Sequence, residues 1–269
     1  MRAFPFFERQ YGGHFVTFVD EAVSRFIRKI LARHLKKGGQ IGAKNQTNRE
    51  VWLERALAAI PAGSRILDAG AGELPYKKFC RHLHYVSQDF AKYDGQGDGK
   101  GLHSGTWDQA GLDIVSDICS IPQPDASFDA VMCVEVLEHL PRPVAAVREL
   151  NRLLKRGGVL IVTAPFCSLT HMAPHFYQTG YSRYFYEYWL DQLGLEILDM
   201  QFNGNYFEYL GQELRRLSWV AEKYANASLD RLEQVALEVL LGALNGFSQK
   251  DQGSEQFLAY GLHVLACKK

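Results

Sequence analysis

The chain has 269 residues, of which 47% are apolar and 22% are charged, as in a globular protein that can bury a sizeable core. Thirty basic residues balance thirty acidic ones, so no overall charge favours nucleic acid as a partner. The five cysteines form no C-x-x-C pair, and no window approaches the roughly 18 consecutive apolar residues of a membrane span. We therefore expect a cytoplasmic protein with no disulfide framework and no membrane span.

Two helices are predicted ahead of the first strand. Apolar residues recur every three or four positions over residues 15–31, which gives one continuous apolar face beside a basic one. We interpret this helix as packing on the domain, with a lid or a homodimer contact as the alternative. Residues 47–50 read as a capping box that starts the second helix. We place an N-terminal helical extension over residues 1–45 and the main domain over 46–269.

From residue 65 onward, short β-rich runs alternate with helices, which is typical of a mostly parallel sheet. The predicted strands cover residues 65–68, 85–89, 113–117, 128–134, 159–164, 196–202 and 257–267. The predicted helices cover residues 76–81, 143–154 and 185–193, and a helical insertion covers about 206–250. The expected fold is α/β, a Rossmann-like doubly wound seven-stranded sheet whose last strand is antiparallel.

The sharpest motif is the run 65–72, where a strand leads into a glycine turn. Gly70 and Gly72 let the backbone approach a ligand at the carboxyl edge of the sheet. A nicotinamide enzyme would usually continue as G-x-G-x-x-G to hold a pyrophosphate, but here Asp68 precedes the turn and Pro75 follows it. A carboxylate repels pyrophosphate and neutralises an ammonium group, so the run argues against a dinucleotide. The alternative is a tight strand–helix turn with no ligand.

Three further acidic residues follow predicted strands. Asp89 ends the second strand, where an acid can accept hydrogen bonds from both ribose hydroxyls, or is merely a solvated loop carboxylate. Asp117 closes the third strand, where it can accept from an adenine amino group while Ile118 covers the ring. Glu135 follows the fourth strand. These strand ends are expected to converge on one crevice.

The runs ILDAGAGELPY, YVSQDF, LDIVSDICSIPQPDASFDAVMCVEVLEHL and LKRGGVLIVTAP resemble successive motifs of the class I S-adenosylmethionine-dependent methyltransferases. The closest resemblance is to the type 11 group related to quinone-biosynthesis methyltransferases, over about residues 45–200. It implies S-adenosyl-L-methionine as the cofactor, with Glu135 beside the sulfonium. The implied cofactor-binding residues are Asp68, Gly70, Gly72, Asp89, Phe90, Asp117, Ile118 and Glu135. Many members carry a third glycine where this chain has Leu74, so we expect a stiffer loop here.

Residues 171–197 resemble the segment after the fifth strand in bacterial relatives associated with sugar and surface-polysaccharide modification. Their polar aromatic residues suit a substrate wall, for which we name Tyr177, Tyr181 and Arg183. His171 and His175 are the predicted general bases because histidine titrates near neutrality, and His139 is the rival. For each histidine the alternative is packing alone.

The predicted activity is methyl transfer to a small-molecule acceptor, on a hydroxyl of a sugar or another biosynthetic intermediate. Alignment and a dry site supply most of such a reaction, with a base for the hydroxyl proton. No metal-ligand cluster is visible in the sequence, so no metal is expected. The alternatives are a non-catalytic S-adenosylmethionine-binding partner or scaffold, and a nicotinamide reductase.

Overall fold

A seven-stranded sheet in the order β3-β2-β1-β4-β5-β7-β6 forms the centre of the computed structural model, which describes residues 39–269. The predicted helix over residues 15–31 lies outside the described residues. The strands are β1 (Arg65–Ala69), β2 (His84–Asp89), β3 (Ile114–Val115), β4 (Phe128–Val134), β5 (Leu154–Pro165), β6 (Leu195–Asn203) and β7 (Gly261–Lys268). The first five strands pair in parallel, and β7 runs antiparallel to both of its neighbours, as predicted.

Helices cover the two faces of the sheet and form the insertion before the last strand. They are α1 (Asn45–Ala58), α2 (Pro143–Leu153), α3 (Arg183–Gln192), α4 (Tyr206–Val220) and α5 (Arg231–Ser248). Across residues 39–269, every helix is too short or too polar to cross a bilayer.

The core lies on both faces of the sheet because successive side chains of a strand point to opposite sides. In β1, Leu67 faces a cluster that includes α2 and α3, whereas Ile66 faces a second cluster that includes α1. The strand β4 is buried almost throughout, as a strand covered on both faces must be. This double cover leaves the carboxyl edge of the parallel strands as the place where polar side chains reach a ligand.

The insertion consists of α4 and α5, joined through a π turn at Ala221–Ala225. The helices pack on the segment just before α1, where Ile41 contacts the buried Leu241 and Leu244 of α5. The Asn45 side chain of α1 donates to Gln212 of α4 at 3.0 Å. The insertion is therefore fastened to the start of α1, at the same edge of the sheet as the glycine turn.

Several predicted boundaries are wrong for local reasons. The capping box at 47–50 is absent, because α1 already begins at Asn45 with no side-chain cap. The helix predicted over 76–81 is a single 3₁₀ turn, Lys77–Phe79. The sheet-edge strand β3 has only two residues, and β5 begins at Leu154, directly after α2. The last strand starts at Gly261 because another 3₁₀ turn, Ser254–Gln256, occupies the preceding segment.

Candidate functional site

The glycine turn after β1 has the backbone geometry that its sequence predicts. Gly70 and Gly72 have φ values of +79° and +51°. A Cβ on Gly70 would lie 2.4 Å from Cγ2 of Val136, so only glycine fits there. The amides of Gly70 and Ala71 both donate to the carbonyl of Gln88, at 2.8 and 2.9 Å. The turn is thereby held against the end of β2.

Asp68 is buried directly beneath this turn, with 1% of its surface exposed. The hydroxyl of Tyr85 donates to its carboxylate at 2.6 Å. Burial raises the pKa of Asp68 to about 7; the bond from Tyr85 opposes this rise and the charge of Asp89 adds to it. A cation placed at Asp68 would lower that pKa again, so the site favours a ligand that carries a positive charge.

Asp89 connects the end of β2 to the glycine turn. One carboxylate oxygen accepts from the amide of Gly72 and the other from the amide of Ala91, each at 3.0 Å. The adjoining Phe90 meets the ring of His175 edge-on, with centroids 5.0 Å apart. A carboxylate has about four acceptor positions, so Asp89 can still accept from ligand hydroxyls.

Asp117 and Ile118 lie at the end of β3 in different environments. The Asp117 side chain is 61% exposed, and its nearest cation is Arg142, with 3.8 Å between nitrogen and oxygen. Its carboxylate also accepts from the amide of Cys119 at 2.8 Å. Ile118 belongs to the main hydrophobic cluster. The polar side chain is thus free to meet a ligand, while the apolar one is anchored in the core.

Glu135 follows β4 with a φ of +55°, a conformation that a residue other than glycine rarely adopts. Thr163 donates to one carboxylate oxygen at 2.8 Å, and Arg49 of α1 pairs with the other at 3.0 Å. Burial is the largest influence on the pKa of the Arg49 guanidinium and lowers it, but the charge of Glu135 and the contact with Tyr76, with a smaller contribution from Glu138, together raise it overall. Strained backbone of this kind persists where surrounding bonds over-determine it, which is typical of functional sites.

A cavity of about 330 Å³ adjoins Glu135 and the glycine turn. Trp107 forms one wall, and its ring lies 2.7 Å from where a Cβ on Gly72 would stand. Other walls come from α1, the 165–172 segment and α4, and they include Arg49, His171 and Arg216. Glu135 and His171 are therefore the predicted site residues that this cavity brings together.

Part of the chain is similar in sequence to known methyltransferases. A family described as a methyltransferase domain matches residues 79–162. A ubiquinone biosynthesis O-methyltransferase of Xanthomonas axonopodis pv. citri is 32% identical over 127 residues, 42% of this chain and 48% of that relative. One of Xylella fastidiosa is 34% identical over 117 residues, 42% of this chain and 47% of the relative. The chain spans about half the length of the curated relatives it matches.

Among solved structures, an S-adenosylmethionine-dependent methyltransferase of Archaeoglobus fulgidus aligns with a TM-score of 0.52 and 17% identity. The alignment covers 81% of this chain and 92% of that one, and at this identity it bears on the fold alone. Residues 79–162 of this chain are therefore similar to a methyltransferase domain, and the fold is that of an S-adenosylmethionine-dependent methyltransferase.

S-adenosyl-L-methionine, the cofactor of this domain class, fits the residues at the sheet edge. Its ammonium group is the kind of cation that the buried Asp68 carboxyl lacks within the described residues. Asp89 and Asp117 offer acceptors at the ends of the next two strands. Glu135, which lines the cavity, offers a carboxylate to the positively charged sulfonium.

The residues predicted to form the acceptor side lie in different environments. Tyr181 is buried, and its hydroxyl donates to the carbonyl of Leu137 at 2.7 Å. Arg183 pairs with Glu187 on α3, and neither Tyr181 nor Arg183 lines the cavity. Tyr177 is 49% exposed but is also outside the cavity lining. Crowded polar aromatic residues were expected to mark a substrate wall. However, aromatic residues crowd in the same way where they pack in a core.

The three histidines predicted as bases differ in whether they line the cavity. His171 lines the cavity, and burial lowers the pKa of its imidazole, so it is neutral near pH 7. His139 is outside the lining, and burial lowers its pKa to about 4. His175 packs against Phe90, and its carbonyl accepts from Nδ1 of His139 at 2.6 Å. Of the predicted bases, His171 is the one placed to meet an acceptor in the cavity.

Arg49, Trp107 and Arg216 are cavity residues that the sequence reasoning missed. Arg49 precedes the buried Trp52 and Leu53 by three and four positions, so all three share one face of α1. That spacing was an available signal of an inward-facing cation. Trp107 and Arg216 stand in a glycine-rich loop and in the insertion, where no local pattern marks them.

Proposed function

We propose that this protein transfers the methyl group of S-adenosyl-L-methionine to a hydroxyl of a small-molecule acceptor, a sugar or another biosynthetic intermediate. The observation that carries the proposal is the placement of carboxylates after β1, β2, β3 and β4 at the carboxyl edge of the sheet, where Glu135 lines a cavity. The curated relatives named as O-methyltransferases support a hydroxyl as the acceptor group. The resemblance of residues 171–197 to sugar-modifying relatives supports the sugar.

On the cofactor side, Asp68 would bind the ammonium, Asp89 the ribose hydroxyls, and Asp117 with Ile118 the adenine. Gly70 and Gly72 would let the backbone approach the methionine end, and Glu135 would lie beside the sulfonium. The bound cofactor supplies an electrophilic methyl group. The four carboxylates would hold it in place, since each accepts a hydrogen bond from backbone or from a neighbouring strand.

On the acceptor side, the walls of the cavity align the hydroxyl with the methyl and exclude water, which supplies most of the rate. A hydroxyl must also lose its proton, and His171 and His175 are the predicted bases. Arg49 and Arg216 give the cavity two cations against the single carboxylate of Glu135. An acceptor rich in hydroxyl or anionic groups therefore suits these walls better than a hydrocarbon.

The first test uses calorimetry of the full chain with S-adenosylhomocysteine, followed by transfer of a labelled methyl group to a panel of glycosides, sugar nucleotides and phenols. We expect binding by the wild type, loss of binding in Asp68→Asn, and no change in the exposed control Asp94→Asn. No binding by the wild type would refute the proposal. Binding without transfer to any acceptor would favour the scaffold alternative.

We also propose that the protein acts in the cytoplasm, which the five free thiols support. The N-terminal segment would contribute a lid or a homodimer contact, because the chain enters the described structure beside the insertion that walls the cavity. There the side chain of Arg215 donates to the carbonyl of Ile41 at 2.6 Å. Deleting residues 1–40 should lower turnover or change the mass in solution. Unchanged turnover and mass would restrict the segment to packing.

A further inference from the structure

Glu138 is a fully buried carboxyl in the 3₁₀ turn that follows β4. Within residues 39–269, neither of its carboxylate oxygens has a hydrogen-bond partner. Burial, and then the nearby charge of Glu135, hold the pKa of this carboxyl well above its usual range. An unpartnered buried carboxyl is costly to a fold, so its presence calls for a function.

Two imidazoles point their unprotonated nitrogens at this carboxyl. Nδ1 of His139 donates to the carbonyl of His175 at 2.6 Å, and Nδ1 of His171 donates to the carbonyl of Leu169 at 2.9 Å. A carbonyl only accepts, so in each neutral ring Nε2 keeps a lone pair. The two Nε2 atoms lie 3.7 and 3.9 Å from the same Oε1 of Glu138. These separations are too long for hydrogen bonds.

The three ligand atoms lie within 4.8 Å of one another, as the donors around a single ion do. Bonds of about 2.0–2.2 Å from a metal to nitrogen and oxygen put neighbouring donors roughly 3–3.5 Å apart. The 3.7 and 3.9 Å distances to Glu138 therefore need to contract by a few tenths of an ångström, and the widest separation, at most 4.8 Å, by up to about 1.3 Å. The carbonyls that hold both Nδ1–H groups are the outer partners that orient metal-binding histidines.

We propose that Glu138, His139 and His171 bind one divalent transition-metal ion. Two imidazoles and one carboxylate suit zinc, iron(II) and similar first-row ions better than magnesium or calcium. The sequence does not indicate these three ligands as one site, because the third comes from a loop that is far from the first two along the chain.

The ion would fasten the acceptor loop to the turn after β4. His171 bridges to Leu102, and the amide of Met172 donates to the Leu102 carbonyl at 2.9 Å, so the ion would order two walls of the cavity. Nε2 of His171 cannot both bind an ion and accept a proton. The proposal therefore assigns His171 to the ion and leaves His175 as the remaining predicted base. The proposed metal site does not depend on the proposed methyl transfer.

The test uses tag-free full-length protein, stripped with a chelator and titrated with Zn²⁺ and with Co²⁺ in the absence of cofactor. We expect one equivalent of ion, a rise in Tm, and a visible cobalt spectrum with nitrogen ligands. His139→Ala, His171→Ala and Glu138→Gln should each weaken binding by more than about 100-fold, since loss of a mere outer-shell partner costs about 10–100-fold. Circular dichroism should confirm that the variants fold.

His103→Ala is the matched control. His103 lines the same cavity, but its two ring nitrogens are bonded to Tyr93 and to the carbonyl of Lys100, so ion binding should be unchanged. Less than one tenth of an equivalent in the wild type would overturn the proposal. Binding that survives in folded His139→Ala would also overturn it, because His139 is one of the three proposed ligands. A turnover defect confined to His171→Ala, with no ion bound, would return His171 to the role of base.

Discussion

The proposed contact between Asp68 and the cofactor ammonium predicts that cofactor affinity depends on pH. Its pKa in the folded protein is about 7, because burial disfavours the carboxylate. A bound ammonium favours the carboxylate, so below pH 7 the protein must release a proton to bind. One ionising group with this pKa is about one-tenth charged at pH 6 and nine-tenths charged at pH 8, so affinity should rise about tenfold, or about 1.4 kcal/mol, between them.

The assay is calorimetry with S-adenosylhomocysteine from pH 6 to 8, in buffers of different ionisation enthalpy so that proton release is counted. Asp68→Asn cannot ionise, so it should bind weakly and with no pH dependence. Tyr85→Phe removes the hydrogen bond that lowers the pKa of Asp68, so the midpoint should move to higher pH. A flat profile in the wild type, or the wild-type slope persisting in Asp68→Asn, would refute the assignment of Asp68 to the ammonium.

The same shift has the opposite sign for the stability of the cofactor-free protein. The folded pKa of about 7 exceeds the ordinary value of 3.8, so the folded state holds its proton more tightly than the unfolded state does. Stability is therefore greatest below the ordinary value and is lost as the pH rises through about 7. Asp68→Asn should raise the free energy of unfolding at pH 8 while it weakens cofactor binding.

The remaining predictions concern the turn and the acceptor side. Asp89→Asn should cost about 1.5–3 kcal/mol of cofactor binding, roughly ten- to hundredfold in affinity by calorimetry, and equal affinity would exclude it from the site. Gly70→Ala should lower stability in urea more than Gly63→Ala, because both have positive φ but only Gly70 meets a neighbouring side chain; equal losses would mean that the neighbour yields. His171→Ala or His175→Ala should cut turnover by roughly 10²–10⁴-fold with cofactor affinity unchanged, and near-normal turnover in both would place the base elsewhere.

The sheet edge was predictable from the sequence because its signals are local. Each parallel strand is a short apolar run that ends in a polar residue, and parallel strands present their carboxyl ends together. Asp68 and Asp89 follow from this rule alone, and their placement at the glycine turn agrees with it. Helix ends were harder to predict from the sequence, since α1 starts without the side-chain cap that its sequence offers.

The cavity was not predictable in the same way, because its walls come from segments far apart in the chain. Arg49 reaches Glu135 across 86 positions of sequence, and Asn45 meets Gln212 across 167. Tyr181 shows the converse error, since a residue assigned to the substrate from local crowding is held in the core by the Leu137 carbonyl. Spacing rules within one element carry no information on such contacts.

The residues proposed to bind the cofactor and those proposed to bind the acceptor belong to different elements of the fold. The carboxylates proposed to bind the cofactor follow strands β1 to β4 and should tolerate little change, because each also accepts a hydrogen bond from backbone or from a neighbouring strand. The acceptor side depends on α4, which is fastened to α1 by the bond between Gln212 and Asn45 and presents Arg216 to the cavity. A substitution on that face of α4 alters the wall without disturbing the sheet. Acceptor specificity should therefore respond to changes in the insertion, while cofactor affinity responds to changes at the strand ends.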